Sequence, residues 1–238
     1  FFTQYSKLDH DQDTIKSIRR NINGLNKISN ERIFDELKKI LSLRNIYYLL
    51  ANDQSKEIIL NIFPQFLYYE KLKKIDELNQ KFREKFDNDL IMAILVVDKS
   101  SNYEYFCHKY RTSNSTKNRF ENISKNFENL KNKKFYLKEN IKRLIYFTDK
   151  KKTRDLLLFS IFANDKIDSS AVEKLLIYVN TCTVPKFPIS GDYLKKYGYK
   201  SSPSLGKKLK TLEEKWIKNN FILDKHEVKK FLSRANQS

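Results

Sequence analysis

The sequence predicts an all-α protein: a multi-helix array followed by a basic, helix-turn-helix-like C-terminal tail. Three observations lead there. Glycine and proline, the residues that break helices, number four each in 238 residues. Apolar residues recur at helical spacing over most of the chain before residue 180. Side chains suited to capping helix N-termini stand just ahead of several of these periodic runs.

The elements follow in order. Residues 14–20 form a helix entered through Asp13 and ended by Asn23-Gly24. Ser29 caps the next helix, Glu31 suits its positive end, and Ile33, Phe34, Leu37, Ile40 and Leu41 make one apolar stripe. The pattern continues over 45–50 and 56–62 up to a break near Pro64, and again over 67–86. The run "LIMAILVV", Leu90 to Val97, is apolar all round; with no partner strand elsewhere it reads as a buried helix. Polar turns follow at 98–102 and 112–118, then helices over 118–130, 137–147, 153–162 and 169–180. The clearest boundary lies at 183–188, where prolines separate a helical body from a basic tail.

In that tail Ser190 or Asp192 caps a short helix that Gly198 closes, and Ser202 caps a second with Pro203 at its first position. Leu205, Leu209, Leu212 and Trp216 form the apolar face of the second helix. Lys195, Lys196 and Lys200 precede it, and Lys207, Lys208 and Lys210 lie in its first turns. Unpaired N–H groups, a positive dipole end and surrounding lysines make a seat for a backbone phosphate. Such contacts would position a nucleic acid without reading its bases. A plain helical hairpin with solvated lysines is the alternative.

Composition bears on partners. The formal net charge is +18 and the charged fraction 32%, which favours a polyanion. A lysine-rich codon bias would give the same excess without function. Two distant cysteines, Cys107 and Cys182, fit a reducing compartment, and His10, His108 and His226 show no metal-ligand spacing. No apolar run reaches the length of a membrane span. A cytoplasmic protein with no membrane partner is therefore expected. Carboxylates spaced Asp-x-Asp occur at Asp9/Asp11, Asp11/Asp13 and Asp87/Asp89. Two-metal nucleotidyl transfer uses such pairs beside a glycine-rich loop; no such loop is near, and helix capping explains them. No phosphate-binding loop or nucleophile elbow is present, so no catalytic residue and no metal ligand is assigned.

Two stretches resemble a known family. "ISNERIFDELKKIL", Ile28 to Leu41, is similar to the neck helix, I-S-x-E-R-x-x-x-E-L, of class II CCA-adding enzymes and bacterial poly(A) polymerases. "FPISGDYLKKYGYKSSPSLGKKLKTLEEKWI", Phe187 to Ile217, resembles the C-terminal segment of the tRNA nucleotidyltransferases of that family. Weaker likeness lies between, in "SNSTKNRFENI" and "TRDLLLFSIF".

The resemblance implies a neck over 1–63, a helical body over 64–183 and a basic tail over 184–238. Ser29, Glu31, Arg32 and Glu36 match the neck motif, whose helix braces the nucleotide pocket of a catalytic head. Gly191, Asp192, Gly198 and Gly206 match the tail. The family's P-G-P turn reads Ser202-Pro203-Ser204 here, without the glycine. The implied RNA-binding set is Gly191, Lys195, Lys196, Gly198, Lys200, Ser202, Ser204, Gly206, Lys207, Lys208 and Lys210.

Family members place the head first, with its Gly-Gly turn, Asp-x-Asp, Arg-Arg-Asp and Glu-Asp-x-x-Arg elements. The Gly-Gly, Arg-Arg-Asp and Glu-Asp-x-x-Arg elements do not occur here, the Asp-x-Asp pairs stand beside no glycine turn, and the chain opens without Met. The expectation is a fragment holding the tRNA acceptor and T arm while a head, in cis or in trans, adds CCA from CTP and ATP. Alone it would be inactive and carry no cofactor, Mg²⁺ entering only with the head. Two alternatives stand: a helical interaction module or decayed remnant that binds no RNA, and a portion of a poly(A) polymerase.

Overall fold

In the computed structural model the described residues are 11–43, 46–47, 53–196, 202–223 and 228, the side chains of 53 and 54 excepted. Within them the protein is all-helical: thirteen α-helices, three short 3₁₀ turns and no strand. The predicted fold class is the observed one.

Near the N-terminus, α1 (Gln12–Asn21) is capped by Asp11 rather than Asp13, its carboxylate accepting from the Thr14 amide at 2.9 Å. Asp11 holds an extended backbone, and Asp13 already lies in the first turn. Asn23-Gly24 does not end this helix in a left-handed turn. The chain instead tightens into a 3₁₀ segment, Ile22–Lys27. Ser29 caps α2 (Asn30–Leu41), which buries Phe34, Leu37 and Leu41.

After α3 (Asp53–Ile62), the periodic stretch 67–86 divides into α4 (Lys71–Asp76) and α5 (Gln80–Arg83). Asn79 causes the break: its side chain accepts from the Phe82 amide at 3.0 Å and starts a new helix. The apolar run is a helix, α6 (Asn88–Val96), capped by Asp87 and fully buried from Leu90 to Val97. A helix apolar all round has to be enclosed.

Around it pack α4, α7 (Asn102–Lys109), α8 (Asn114–Asn126) and α10 (Lys150–Ala163). The sequence predicts no element over α7. It also places a turn at 112–118, whereas Ser113 caps α8 by accepting from the Thr116 amide at 3.1 Å. Helices α9 (Lys138–Phe147) and α11 (Ser169–Thr181) close the body on α10. One continuous core runs from Phe34 on α2 to Cys182. Both cysteines are free and buried, and burial pushes the Cys107 thiol up.

The tail carries α12 (Gly191–Lys195) and α13 (Pro203–Lys218). It builds a second, small core from Ile189, Leu194, Leu205, Leu212 and Val228. No described helix is long and apolar enough to cross a membrane.

Lys71 carries a pH dependence. Burial pulls its pKa down to about 8, and its ammonium sits 4.0 Å above the Tyr68 ring. Between pH 8 and 10 the unfolded chain holds this proton more tightly than the folded one, so stability rises with pH. The buried Cys107 thiol opposes this from pH 9, where the unfolded thiol gives up its proton, and Tyr68 and Tyr110, held up near 12, oppose it above pH 10. Lys71→Met is expected to add about 1 kcal/mol at pH 7 and to flatten the rise; urea titrations at pH 7, 8.5 and 10 read both effects.

Candidate nucleic-acid interface

The residues from 184 to 218 contain nine lysines and three acidic residues. Their helices form for local reasons. The Ser190 hydroxyl accepts from the Tyr193 amide at 3.1 Å, which makes Ser190 and not Asp192 the cap of α12. Ser202 caps α13 by accepting from the Leu205 amide at 3.3 Å, with Pro203 at the first helical position, where no N–H is needed. Leu205, Leu212 and Trp216 are buried and Leu209 half-buried, so the predicted apolar face is the one that packs.

The opposite face is open. Ser202 and Ser204 share a hydrogen bond at 2.8 Å at the exposed start of α13. Lys207 and Lys210 are exposed one turn further on, and Lys208 is half-buried. Among the described residues neither the Lys207 nor the Lys210 ammonium has a hydrogen-bond or ion-pair partner. Lys195 pairs with Asp192 at 2.9 Å, and Lys196 is exposed. Gly191 lies against Leu209, whose Cδ1 would sit 3.9 Å from an added Cβ. Gly206 has nothing within 4 Å of the place a Cβ would occupy. Gly198 and Lys200 lie outside the described residues.

The neck motif divides its work. The Ser29 hydroxyl accepts from the Arg32 amide at 3.3 Å as a cap. Glu31 reaches across to Arg111 at 2.8 Å, tying α2 to the end of α7. Its own backbone amide, and then Arg111, hold the Glu31 carboxyl below the usual range. Glu36 pairs with Lys39 at 2.8 Å. Ser29, Glu31, Lys109 and Arg111 line a groove of about 500 Å³. Arg32 and Glu36 stand on the rim of a neighbouring groove of about 330 Å³, floored by Ile33, Leu37, Ile59 and Phe63. The helix that carries the neck set packs into the larger core through Phe34, Leu37 and Leu41, and the helices that carry the tail set pack into the smaller one through Leu194, Leu205 and Leu212.

Of the Asp-x-Asp pairs, Asp9 lies outside the described residues. Asp11 and Asp87 are caps, Asp13 pairs with Lys16 at 3.3 Å, and Asp89 accepts from the Thr116 hydroxyl at 3.0 Å.

Three arginines that no sequence motif marks organise the molecule. Arg119 bridges Asp155 and Asp87, joining α8, α10 and the start of α6. Arg111 adopts a left-handed backbone, φ 47°, where a helix end more often carries glycine, and so aims its side chain at Glu31. Arg143, on α9, donates to the Ile217 carbonyl at 3.3 Å, the Lys218 carbonyl at 3.0 Å and the Asn220 side chain at 3.1 Å, and so closes the end of α13. No local signal marks these contacts, since their partners lie tens of residues away.

Beyond α13 the backbone is strained, with φ 51° at Asn220 and 66° at Phe221. Such non-glycine conformations cost on the order of 1 kcal/mol each and persist where surrounding contacts hold them. Here the Phe221 amide donates to the Trp216 carbonyl at 2.9 Å, and its ring meets Trp216 edge-on with centroids 4.9 Å apart. Lys142 lies over the Phe221 ring at 4.8 Å. Tyr146 packs against both Trp216 and Phe221 and donates a short hydrogen bond to Glu213.

Residues 8–68 match the family described as "Probable RNA and SrmB- binding site of polymerase A". The chain is 27% identical over 240 residues to CCA tRNA nucleotidyltransferase 1, mitochondrial, of Mus musculus, covering 95% of this chain and 51% of that protein. It is 26% identical over 240 residues to a CCA-adding enzyme of Lactococcus lactis subsp. cremoris, covering 93% of this chain and 54% of that one. The chain thus spans about half the length of the relatives it matches. Along nearly its whole length the chain is therefore similar to CCA-adding tRNA nucleotidyltransferases, and the match to a probable RNA-binding site falls on α1 to α3.

Proposed function

We propose that this chain binds tRNA, holding the acceptor and T-arm duplex on the tail and the adjoining body while a nucleotidyltransferase head, in cis or in trans, adds CCA from CTP and ATP. The observation that carries the reading is the start of α13. A glycine inside a helix costs about 0.5–1 kcal/mol relative to alanine. Gly206 has open space above it, so no packing contact requires it. Beside it stand two exposed serine hydroxyls and two lysines without a partner among the described residues. An RNA backbone lying across the helix accounts for all of these at once: serines and lysines meet phosphates, and the missing side chain lets the sugar–phosphate chain come close.

In the same reading Ser29, Glu31, Arg32 and Glu36 brace the head, and Mg²⁺ enters only with it. In this reading the described residues supply RNA shape and charge recognition, and the chain alone is expected to add no nucleotide.

A gel shift with unmodified tRNA at 0.05 M and 0.2 M salt tests the proposal. The chain is expected to bind at the lower salt and to weaken steeply at the higher one. Gly206→Ala sharpens the test: it is expected to raise thermal stability slightly while weakening tRNA binding about threefold to tenfold. Failure to bind at low salt would favour the helical interaction module, and incorporation of CTP or ATP by the pure chain would overturn the assignment of catalysis to a head.

A further inference from the structure

The tail's own core is small, and one guanidinium spans the seam between tail and body. Arg143 uses its donors on the Ile217 and Lys218 carbonyls, the Asn220 side chain and, within its own helix, Asn140 at 3.2 Å. The last carbonyls of a helix have no partner inside it; those of α13 find theirs on another element. On the same face of α9, one turn on, Tyr146 reaches Glu213, Trp216 and Phe221. All of these partners lie in the C-terminal half of α13 or just beyond it, whereas the phosphate-facing residues lie at its N-terminal end. A helix gripped at one end is aimed at the other.

We infer that Arg143 is a positioning residue for RNA: it fixes the angle of α13 on α9, so that the tail and body lysines present one continuous surface to one duplex. The inference rests on the tRNA-binding reading and adds to it the element that sets the tail's orientation. Arg143 need not touch RNA. Two of its donors point at main-chain carbonyls, and its side chain is half-buried.

The test is a double-mutant cycle on the full chain, with tRNA binding at 0.1 M salt and limited proteolysis of residues 183–188 as readouts. Lys210→Glu alone is expected to weaken binding about tenfold, and Arg143→Ala alone by a similar factor. Combined, the second change is expected to add less than about threefold, because a tail that is no longer aimed has little left to lose. Cleavage at 183–188 should quicken in Arg143→Ala without RNA present.

If Arg143→Ala misfolds by circular dichroism, Asn220→Gly serves instead. It removes one acceptor of the clasp while keeping the left-handed backbone, and a smaller shift of the same kind is expected. Fully additive losses with unchanged proteolysis would overturn the positioning role and leave the tRNA reading intact. Absence of tRNA binding by the wild-type chain would remove both.

Discussion

Arg119→Ala is expected to cost about 3–5 kcal/mol of stability, the largest effect of any single surface-reaching residue here. The reason is what it leaves behind. Asp155 is 4% exposed, in the middle of α10 and followed by the buried Leu156, Leu157 and Leu158. Arg119 supplies its partners, Nε to Oδ2 at 2.5 Å and a terminal nitrogen to Oδ1 at 2.8 Å. The other terminal nitrogen takes both oxygens of Asp87 at 2.8 and 2.7 Å. Burial pushes the Asp155 carboxyl up, and Arg119 opposes it. Without the arginine, a buried carboxylate stands alone and takes up a proton.

Two measurements follow. The loss, read by urea unfolding, should shrink as pH falls from 7 towards 5, because the mutant's native state binds the proton that the unfolded chain releases. Asp155→Asn should recover part of it in the Arg119→Ala background. A cost below about 1 kcal/mol at pH 7 would show that water reaches the site and that the pair is not the staple of α6, α8 and α10.

The largest functional effect is expected at the tail. Lys207→Glu with Lys210→Glu should weaken tRNA binding by about 10- to 100-fold at 0.1 M salt and lower the slope of log affinity against log salt by about 1.5–2. The two positions are three apart on a helix and so share a face. Both are exposed, opposite the buried Leu205, Leu212 and Trp216, so the fold should tolerate the change. Losses of similar size on duplex RNAs of unrelated sequence would mark backbone recognition. A loss confined to one sequence would point to base reading and would falsify the phosphate role.

What the sequence revealed was local. Ser29, Asp87 and Ser202 were legible as caps because a cap is settled within three residues. The buried α6 was legible because an apolar run of that length has nowhere else to go. Helix α7 was not, since Ser101 precedes it without making a cap hydrogen bond and its buried residues, Tyr103, Phe106 and Cys107, are interleaved with charge. Periodicity across 67–86 misled because two short helices keep nearly the same phase as one long one. In the candidate site, the Ser202-Pro203 start and the lysines of α13 could be read in order. The contacts of Arg111 to Glu31, Arg119 to Asp155 and Arg143 to Ile217 are 80, 36 and 74 residues apart, and only the packed chain brings them together.

The two separate cores have a consequence for how this molecule responds to heat. The body is held by an apolar interior reaching from Phe34 to Cys182, the tail by a five-residue core of its own, the buried Trp216 and Ile217 near the body, and a clasp at one end. Regions with few buried contacts open at lower free energy than the global fold. On warming, the tail is therefore released first, while the body still gives a native signal. If the tail holds tRNA as proposed, that holding would be lost below the measured melting temperature, and the working ceiling of the protein would be set by its smaller part.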